Sequence, residues 1–156
     1  PAEYHRLFKI ARASWQDPPV PLILLVLRLS GFDPTVFSLW SDRILNAMET
    51  VSGAIRDDIG LCLDQVLDRT YAVSPKEDIR FSAGRVYYRL GRYSDAEAQF
   101  SRVVADTPER GVAWYNLGLC NERLGRQREA HDHFRRAIQL DPSHAKARAA
   151  LERVSG

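Results

Sequence analysis

The chain has 156 residues and a formal net charge of only +2. It is long enough for a hydrophobic core, and it lacks the strong cationic field of a general nucleic-acid-binding protein. Its two cysteines, Cys62 and Cys120, lie in apolar helical patterns without a partner at metal-ligand spacing, which argues against a disulfide framework and favours a reducing compartment. We therefore expect a cytoplasmic protein or the cytosolic part of a membrane-associated assembly. Because the chain begins at Pro1 and its one methionine is Met48, we interpret it as a processed product or a part of a longer protein.

Residues 1–73 show helical periodicity without a clear repeat. They open with an amphipathic segment, EYHRLFKIARASW, which DPP at 17–19 ends. The apolar run VPLILLVLRL at 20–29 is about half as long as the roughly 20 residues that span a bilayer. The sequence therefore predicts a buried helix from about Pro21 to Leu29 and no transmembrane segment.

The motif SGFDP predicts a turn, with Asp33 as a helix cap and Pro34 at the first helical position. Two further helices, TVFSLWSDRILNAMETV and AIRDDIGLCLDQVLDRTYAV, are predicted on either side of Gly53. We interpret this first half either as a decayed repeat or as a separate helical cap. The motif SPKE at 74–77 is a capping box that predicts the start of the next helix.

The second half of the sequence overlays on itself when it is shifted by 34 residues. In each copy a first helix is predicted to end at a Leu-Gly pair, where Gly91 or Gly125 takes a left-handed conformation. A second helix follows and ends before a proline, because the residue before proline avoids the helical region. Inside each first helix a glycine, Gly84 or Gly118, costs about 1 kcal/mol. We expect each of these two glycines to make room for a bulky aromatic ring of a neighbouring helix.

These residues resemble the tetratricopeptide repeat family, whose 34-residue pattern places Trp, Leu-Gly, Tyr, Ala, Phe, Ala and Pro at fixed positions. The second copy carries Trp114, Leu117, Gly118, Ala130, Phe134, Ala137 and Pro142. The first copy carries Gly84, Tyr87, Ala96, Phe100 and Pro108. Four positions depart from the pattern: Arg80 for Trp, Ala83 for Leu, Asn121 for Tyr and Val103 for Ala.

The resemblance implies an all-α fold, a right-handed α-solenoid of tetratricopeptide-like helical hairpins with a C-terminal capping helix and an irregular helical N-terminal part. We expect a helical N-terminal region at 1–73, repeats at 77–110 and 111–144 within the region 74–156, and the capping helix at 145–154. Ser143 is predicted to cap that last helix, whose outer face is covered by Arg and Glu residues.

The sequence predicts no catalytic, metal or cofactor site. His131 and His133 are two residues apart and point about 200° apart on a helix, so we interpret them, with His144, as solvated surface residues. The sequence contains no nucleophile elbow, phosphate-binding glycine loop or HExxH motif, and the adjacent carboxylates Asp57 and Asp58 do not converge on a helix. We therefore expect a protein that is not an enzyme.

A basic stripe beside tyrosines makes nucleic-acid binding a weak alternative. The stripe comprises Arg85, Arg89, Arg92, Arg123, Arg126 and Arg128. Acidic residues dilute it: Asp78, Asp95, Glu97, Glu122 and Glu129. We therefore do not expect a nucleic-acid partner.

In the tetratricopeptide family, ligand peptides lie along the first helices of successive repeats, and the resemblance implies the same groove here. The inward positions are Asp78, Phe81, Arg85, Tyr88, Arg89, Val112, Tyr115, Asn116, Leu119, Glu122, Arg123, Lys146, Ala149 and Arg153. Aromatic rings mixed with arginine suit a peptide with apolar and acidic side chains. Phe81, Tyr88 and Tyr115 have the alternative role of packing against neighbouring helices.

Some family members hold acidic chaperone tails in a carboxylate clamp. Asn116 and Lys146 resemble clamp residues, whereas Phe81 and Arg85 replace the expected Lys and Asn, and Ala150 replaces an Arg. The clamp is incomplete, so we do not expect chaperone-tail binding.

We interpret the chain as a protein-interaction module, a scaffold or adaptor that binds a partner segment in the groove. One alternative is a regulatory or tethering domain of a larger enzyme, or of a membrane-associated secretion or envelope-assembly machine. Another is a structural module that self-associates through its apolar residues 1–40.

Overall fold

A computed structural model describes residues 18–69 and 76–156. Over these ranges the chain is built of helices, with no strand: α1 Val20–Leu29, α2 Pro34–Ala47, α3 Gly53–Arg69, α4 Lys76–Arg89, α5 Tyr93–Asp106, α6 Gly111–Arg123, α7 Gln127–Leu140 and α8 Ala145–Ser155. Within these ranges, no helix has the length and apolar character needed to cross a bilayer. The predicted amphipathic segment at 3–15 and the first half of the capping box at 74–77 lie outside the described residues.

Contacts divide the chain into two compact units, one up to Ser82 and one from Ala83 onwards, so that α4 contributes residues to both. We call them the N-terminal unit and the C-terminal unit.

The turn after α1 and the cap of α2 follow local rules in the sequence. After α1, Gly31 and Phe32 both have positive φ, and the Phe32 amide donates to the Leu27 carbonyl at 2.7 Å. The Asp33 carboxylate then accepts a hydrogen bond from the Thr35 amide at 2.8 Å, and Pro34 is the first residue of α2. The predicted turn and cap are confirmed.

The core of the N-terminal unit consists mainly of large aliphatic side chains from α1, α2 and α3, together with Phe37 and Met48. The fully buried ones include Ile23, Leu24, Leu27, Phe37, Ile44, Met48, Ile59, Leu63 and Val66. An ion pair between Arg28 and Asp58 joins α1 to α3. The prediction of a buried α1 is right for one face only, because Leu25 and Leu29 are 48% and 51% exposed.

In the C-terminal unit, the helices from α4 to α7 form two successive hairpins that close in the same way. Gly91 and Gly125 have φ of 80° and 77°, which confirms the predicted left-handed glycines. The following amide, of Arg92 or Arg126, donates back to the helix at 2.9 Å. This 6→1 hydrogen bond satisfies a carbonyl that the helix end leaves without a partner.

The two glycines inside α4 and α6 accept aromatic rings from α5 and α7. A Cβ atom at Gly84 would lie 2.8 Å from the Phe100 ring, and one at Gly118 would lie 2.5 Å from the Phe134 ring. Both rings are fully buried. The expected close approach of ring and glycine is confirmed in both copies.

The last helix, α8, packs against α7 through Ala150, Leu151 and Val154 around Phe134. The prediction of Ser143 as its cap is wrong. The N-cap is His144, whose Nδ1 accepts a hydrogen bond from the Ala147 amide at 3.2 Å. The Ser143 hydroxyl and amide instead donate to the Asp141 carboxylate, at 2.6 and 2.9 Å, and Ser143 lies one residue before the N-cap position.

Candidate peptide-binding surface

The predicted groove residues lie on three helices, α4, α6 and α8. Asp78 and Phe81 belong to the N-terminal unit, where Asp78 is exposed and Phe81 half-buried. All the others lie in the C-terminal unit. We call this second set the inner surface: Arg85, Tyr88, Arg89, Val112, Tyr115, Asn116, Leu119, Glu122, Arg123, Lys146, Ala149 and Arg153.

An aromatic corner formed by Tyr88 and Tyr93 lies beside the guanidinium of Arg123. The rings of Tyr88 on α4 and Tyr93 on α5 meet edge to face, with centroids 5.2 Å apart. The Arg123 Cζ atom lies 5.8 Å from each centroid, within the range of a cation–π contact. Burial raises the pKa of the Tyr88 hydroxyl, while a hydrogen bond with Arg123 opposes that shift.

An ion pair joins α6 to α8 through Glu122, the residue before Arg123. Arg153 Nε donates to Glu122 Oε1 at 2.6 Å, and Arg153 Nη2 donates to Oε2 at 2.7 Å. The hydrogen bonds from Arg153 hold the pKa of the Glu122 carboxyl below its usual range, although its burial works the other way. Arg153 therefore engages both oxygens of Glu122, the only carboxylate on the inner surface.

Near the aromatic corner and the ion pair, aromatic and aliphatic side chains are packed into the unit while remaining partly accessible. The Tyr115 ring lies 5.9 Å from that of Phe134 and 4.8 Å from that of His144, measured between centroids. Leu119 packs against the same cluster. Tyr115 thus packs against neighbouring helices, the alternative role given above, and is still partly exposed on the inner surface.

The residues that resemble clamp positions are arranged differently from a clamp. The Asn116 amide donates within its own helix, to the Val112 carbonyl at 2.7 Å. Ala150, where an Arg would stand, is buried against α7. Lys146 is exposed. The described residues therefore lack the set of donors that a two-carboxylate clamp requires.

The interpretation of the histidines as solvated is wrong for two of the three. The His133 ring lies 5.6 Å from the Trp114 ring, and burial lowers the pKa of His133 against the opposing charges of Asp132, Glu97 and Glu129. His144 caps α8. The described residues contain no group of three or more metal-ligating side chains close enough to share an ion.

The basic stripe is partly neutralised within the C-terminal unit. Arg92 donates to Asp95 at 2.7 Å and lies over the Tyr87 ring, 4.5 Å from its centroid. Arg126 donates to Glu97 at 2.6 Å. These pairings leave fewer guanidinium groups for phosphates than the sequence count indicates.

Sequence reasoning missed Tyr93, which forms half of the aromatic corner. It is the first residue of α5, a second helix, and the family pattern places ligand contacts on first helices. The position of Tyr93 could have indicated this role. It lies two residues after Gly91, where the Leu-Gly turn brings the start of α5 next to the end of α4.

Comparison with known proteins identifies the repeat. A profile of the tetratricopeptide repeat matches residues 81–145. The probable biofilm formation methyltransferase WspC of Pseudomonas aeruginosa is 36% identical over 61 residues, which are 39% of this chain and 14% of that protein. The TPR repeat-containing thioredoxin TTL4 of Arabidopsis thaliana is 33% identical over 79 residues, which are 51% of this chain and 11% of that protein. The chain thus spans about a seventh of the length of these relatives or less.

Two solved structures have a similar fold. The first TPR of Spaghetti (RPAP3), bound to the HSP90 peptide SRMEEVD, matches with a TM-score of 0.64 and 18% identity over 80% of this chain and 92% of that chain. MamA matches with a TM-score of 0.67 and 14% identity over 86% of this chain and 74% of that chain. The predicted fold class is confirmed.

Proposed function

Because a profile of the tetratricopeptide repeat matches residues 81–145, we propose that the C-terminal unit is a non-enzymatic protein-interaction module. It binds a segment of another protein along the inner surface and serves as a scaffold or adaptor. The observation that carries this proposal is the continuous row of exposed and half-exposed functional groups on α4, α6 and α8. Contacts between Tyr88 and Arg123, and between Glu122 and Arg153, link those three helices side by side.

The chemistry of the inner surface favours a partner with acidic and apolar side chains. Its charged residues are Arg85, Arg89, Arg123, Lys146, Arg153 and the single carboxylate Glu122. Tyr88, Tyr115 and Leu119 add half-buried apolar area between the charges. Aromatic rings supply contact area at low entropic cost and arginine pairs with carboxylates, so a segment that alternates the two side-chain types is the best complement.

The peptide-bound tetratricopeptide domain of Spaghetti supports binding by this fold, but a different ligand is proposed here. That domain holds the acidic HSP90 peptide SRMEEVD. In this chain Asn116 is bonded within α6 and Ala150 is buried. We therefore propose a partner other than a chaperone tail, in the cytoplasm or on the cytosolic side of a membrane-associated assembly.

The relatives favour a second candidate function. Because the chain matches a small part of a methyltransferase-named protein and of a thioredoxin-named protein, the unit is proposed alternatively as a regulatory or tethering segment attached to an enzyme or a membrane-associated machine.

Self-association through residues 1–40 is a further proposal, supported by the exposed side chains of Leu25, Leu29 and Leu39.

A charge-reversal pull-down tests the groove. The variant Arg85→Glu/Arg123→Glu is expected to lose partners that the unchanged chain retains, while its helical circular dichroism stays the same. The matched control is Arg102→Glu/Arg136→Glu, which makes the same charge change at exposed positions of the second helices α5 and α7. Equal loss in both double variants, or retention in the first, would exclude the inner surface as the binding site.

A further inference from the structure

Two arginines of the inner surface, Arg123 and Arg153, are in opposite electrostatic states. Arg153 donates from two nitrogens to both oxygens of Glu122, at 2.6 and 2.7 Å. Arg123 forms no ion pair with a carboxylate at hydrogen-bond distance among the described residues, and its guanidinium is exposed to solvent. Glu122 is near enough to act on Arg123 electrostatically, but both of its oxygens are engaged by Arg153.

Arg123 also has neighbours that restrict its orientation. Its guanidinium lies beside the Tyr88 and Tyr93 rings, 5.8 Å from each centroid. A guanidinium that is already positioned loses little conformational entropy when it pairs with a ligand. The two rings provide an apolar surface directly beside the charge, so a carboxylate and a neighbouring apolar side chain would be bound together.

We propose that Arg123 is the residue of the inner surface that binds a carboxylate of the partner segment, with an adjacent apolar side chain against Tyr88 and Tyr93. Glu122 has a specificity-determining role in this arrangement. It neutralises Arg153 and would repel a carboxylate there, so it directs the acidic group to Arg123 rather than to Arg153. The inference rests on the proposed peptide binding, and it names which charge is recognised and where.

The role of Glu122 has a consequence that packing alone does not produce. If Glu122 loses its charge, Arg153 is released and becomes a second guanidinium able to pair with a carboxylate bidentately. The variant Glu122→Gln is therefore expected to gain a preference for a second acidic residue. The variant Glu122→Gln/Arg153→Gln removes the pair as a neutral unit and is expected to keep the preference of the unchanged chain.

The experiment uses the full chain and a bead-displayed library of random octapeptides, presented with either a free or an amidated C-terminus. The unchanged chain is expected to enrich peptides with one acidic residue next to an apolar one. Enrichment that survives amidation assigns the carboxylate to a side chain, and enrichment that amidation abolishes assigns it to a peptide C-terminus. Arg123→Gln is expected to lose the acidic preference, with unchanged circular dichroism.

A selected peptide is then compared with its Asp→Asn or Glu→Gln form, or with its amidated form, by fluorescence polarisation. Neutralising the carboxylate is expected to weaken binding to the unchanged chain about tenfold, the size of a hydrogen bond to a charged group. It is expected to change binding to Arg123→Gln by less than about twofold. The effect on the unchanged chain is expected to shrink at high salt, because the guanidinium is exposed.

The outcomes separate this inference from the proposed function. An acidic preference that persists in Arg123→Gln overturns the role of Arg123, and Glu122→Gln without a second acidic position overturns the role of Glu122. Enriched peptides that lack acidic residues but shift amide resonances of α4, α6 and α8 overturn the inference and leave the proposed function standing. A library without any enriched peptide, or peptides that shift only amides elsewhere, overturns the proposed function itself.

Discussion

The two units bury their helices with different side chains. In the N-terminal unit, branched and long aliphatic residues such as Ile23, Leu27 and Leu63 fill the space between α1, α2 and α3. In the C-terminal unit, most fully buried positions are alanines, and the large side chains among them include Phe100 and Phe134, each fitted against a glycine. Large side chains keep helices apart, whereas alanine and glycine let them approach closely.

This difference explains why a repeat is recognisable in the sequence of the C-terminal unit and not in that of the N-terminal unit. An aromatic ring packed against a glycine fits only one distance between the two helices and one ring orientation. The same residues must therefore recur wherever the same hairpin contact recurs. A core of aliphatic side chains is filled by many combinations of similar volume. The sequence of the N-terminal unit is therefore irregular even though its described residues also form helices.

The largest expected effect comes from removing one of the two rings. Phe134→Ala should destabilise the C-terminal unit by about 3–5 kcal/mol, because the ring is fully buried and alanines and glycine around it cannot fill the cavity. Urea unfolding followed by Trp114 fluorescence in a Trp15→Phe/Trp40→Phe background measures this unit. A loss below about 1 kcal/mol would show that the ring is not the main packing element.

The next effect tests the glycine on the other side of the contact. Gly118→Ala should cost about 1–2 kcal/mol net, since overpacking against Phe134 outweighs the better helix propensity of alanine. The double variant Gly118→Ala/Phe134→Leu should recover part of the loss relative to the sum of the single changes.

A matched change in the N-terminal unit sharpens the comparison. Leu27→Met keeps the volume of a fully buried side chain in α1, and such swaps cost less than about 1.5 kcal/mol. The same urea experiment with Trp40 as the reporter, in a Trp15→Phe/Trp114→Phe background, measures it. A larger loss from Leu27→Met than from Gly118→Ala would contradict the contrast between the two cores.

A smaller effect is the pH dependence of the C-terminal unit. Burial beside Trp114 lowers the folded-state pKa of His133, so the unfolded chain binds this proton first. Stability is therefore lost as the pH falls below the unfolded value of about 6.5, and the loss levels off below the folded pKa. His133→Gln should flatten this part of the stability profile, and an unchanged profile would contradict it.

The smallest effect is expected from the ion pair between α6 and α8. Glu122→Gln should cost about 0.5 kcal/mol, because Arg153 is largely exposed. The lowered folded pKa of Glu122 makes its contribution present above about pH 4.3 and lost as the pH falls through the folded value. Thermal unfolding at pH 7 and pH 3 measures it, and a difference between the unchanged chain and Glu122→Gln that persists at pH 3 would show another cause.

Local rules predicted the features whose causes lie within a few residues or within the repeat. Gly91, Gly125 and the Asp33 cap depend on backbone conformation near each residue, and the room that Gly84 and Gly118 leave for an aromatic ring follows from their recurrence inside a helix of each repeat. The cap of α8 was missed because Ser143 belongs to a turn closed by Asp141, so that His144 takes the N-cap position one residue later. The geometry of this turn is not contained in residue preferences alone.

Features that join distant helices could not be predicted. Glu122 and Arg153 are 31 residues apart, and their pairing requires the actual stacking of α8 on α6. The aromatic corner likewise needs the orientation of Tyr93 relative to Arg123. In the N-terminal unit, the half-exposed face of α1 was missed because an uninterrupted apolar run does not indicate which side faces the core.

The buried cysteines give each unit a native probe of its own opening. Cys120 is fully buried, and burial raises the pKa of its thiol to about 12, while Cys62 is buried in α3 with a raised pKa from the same cause. Neither thiol reacts with a disulfide reagent until its surroundings open and it can ionise. The rates at which Cys62 and Cys120 react therefore report the opening of each unit separately, with no cysteine introduced by mutation.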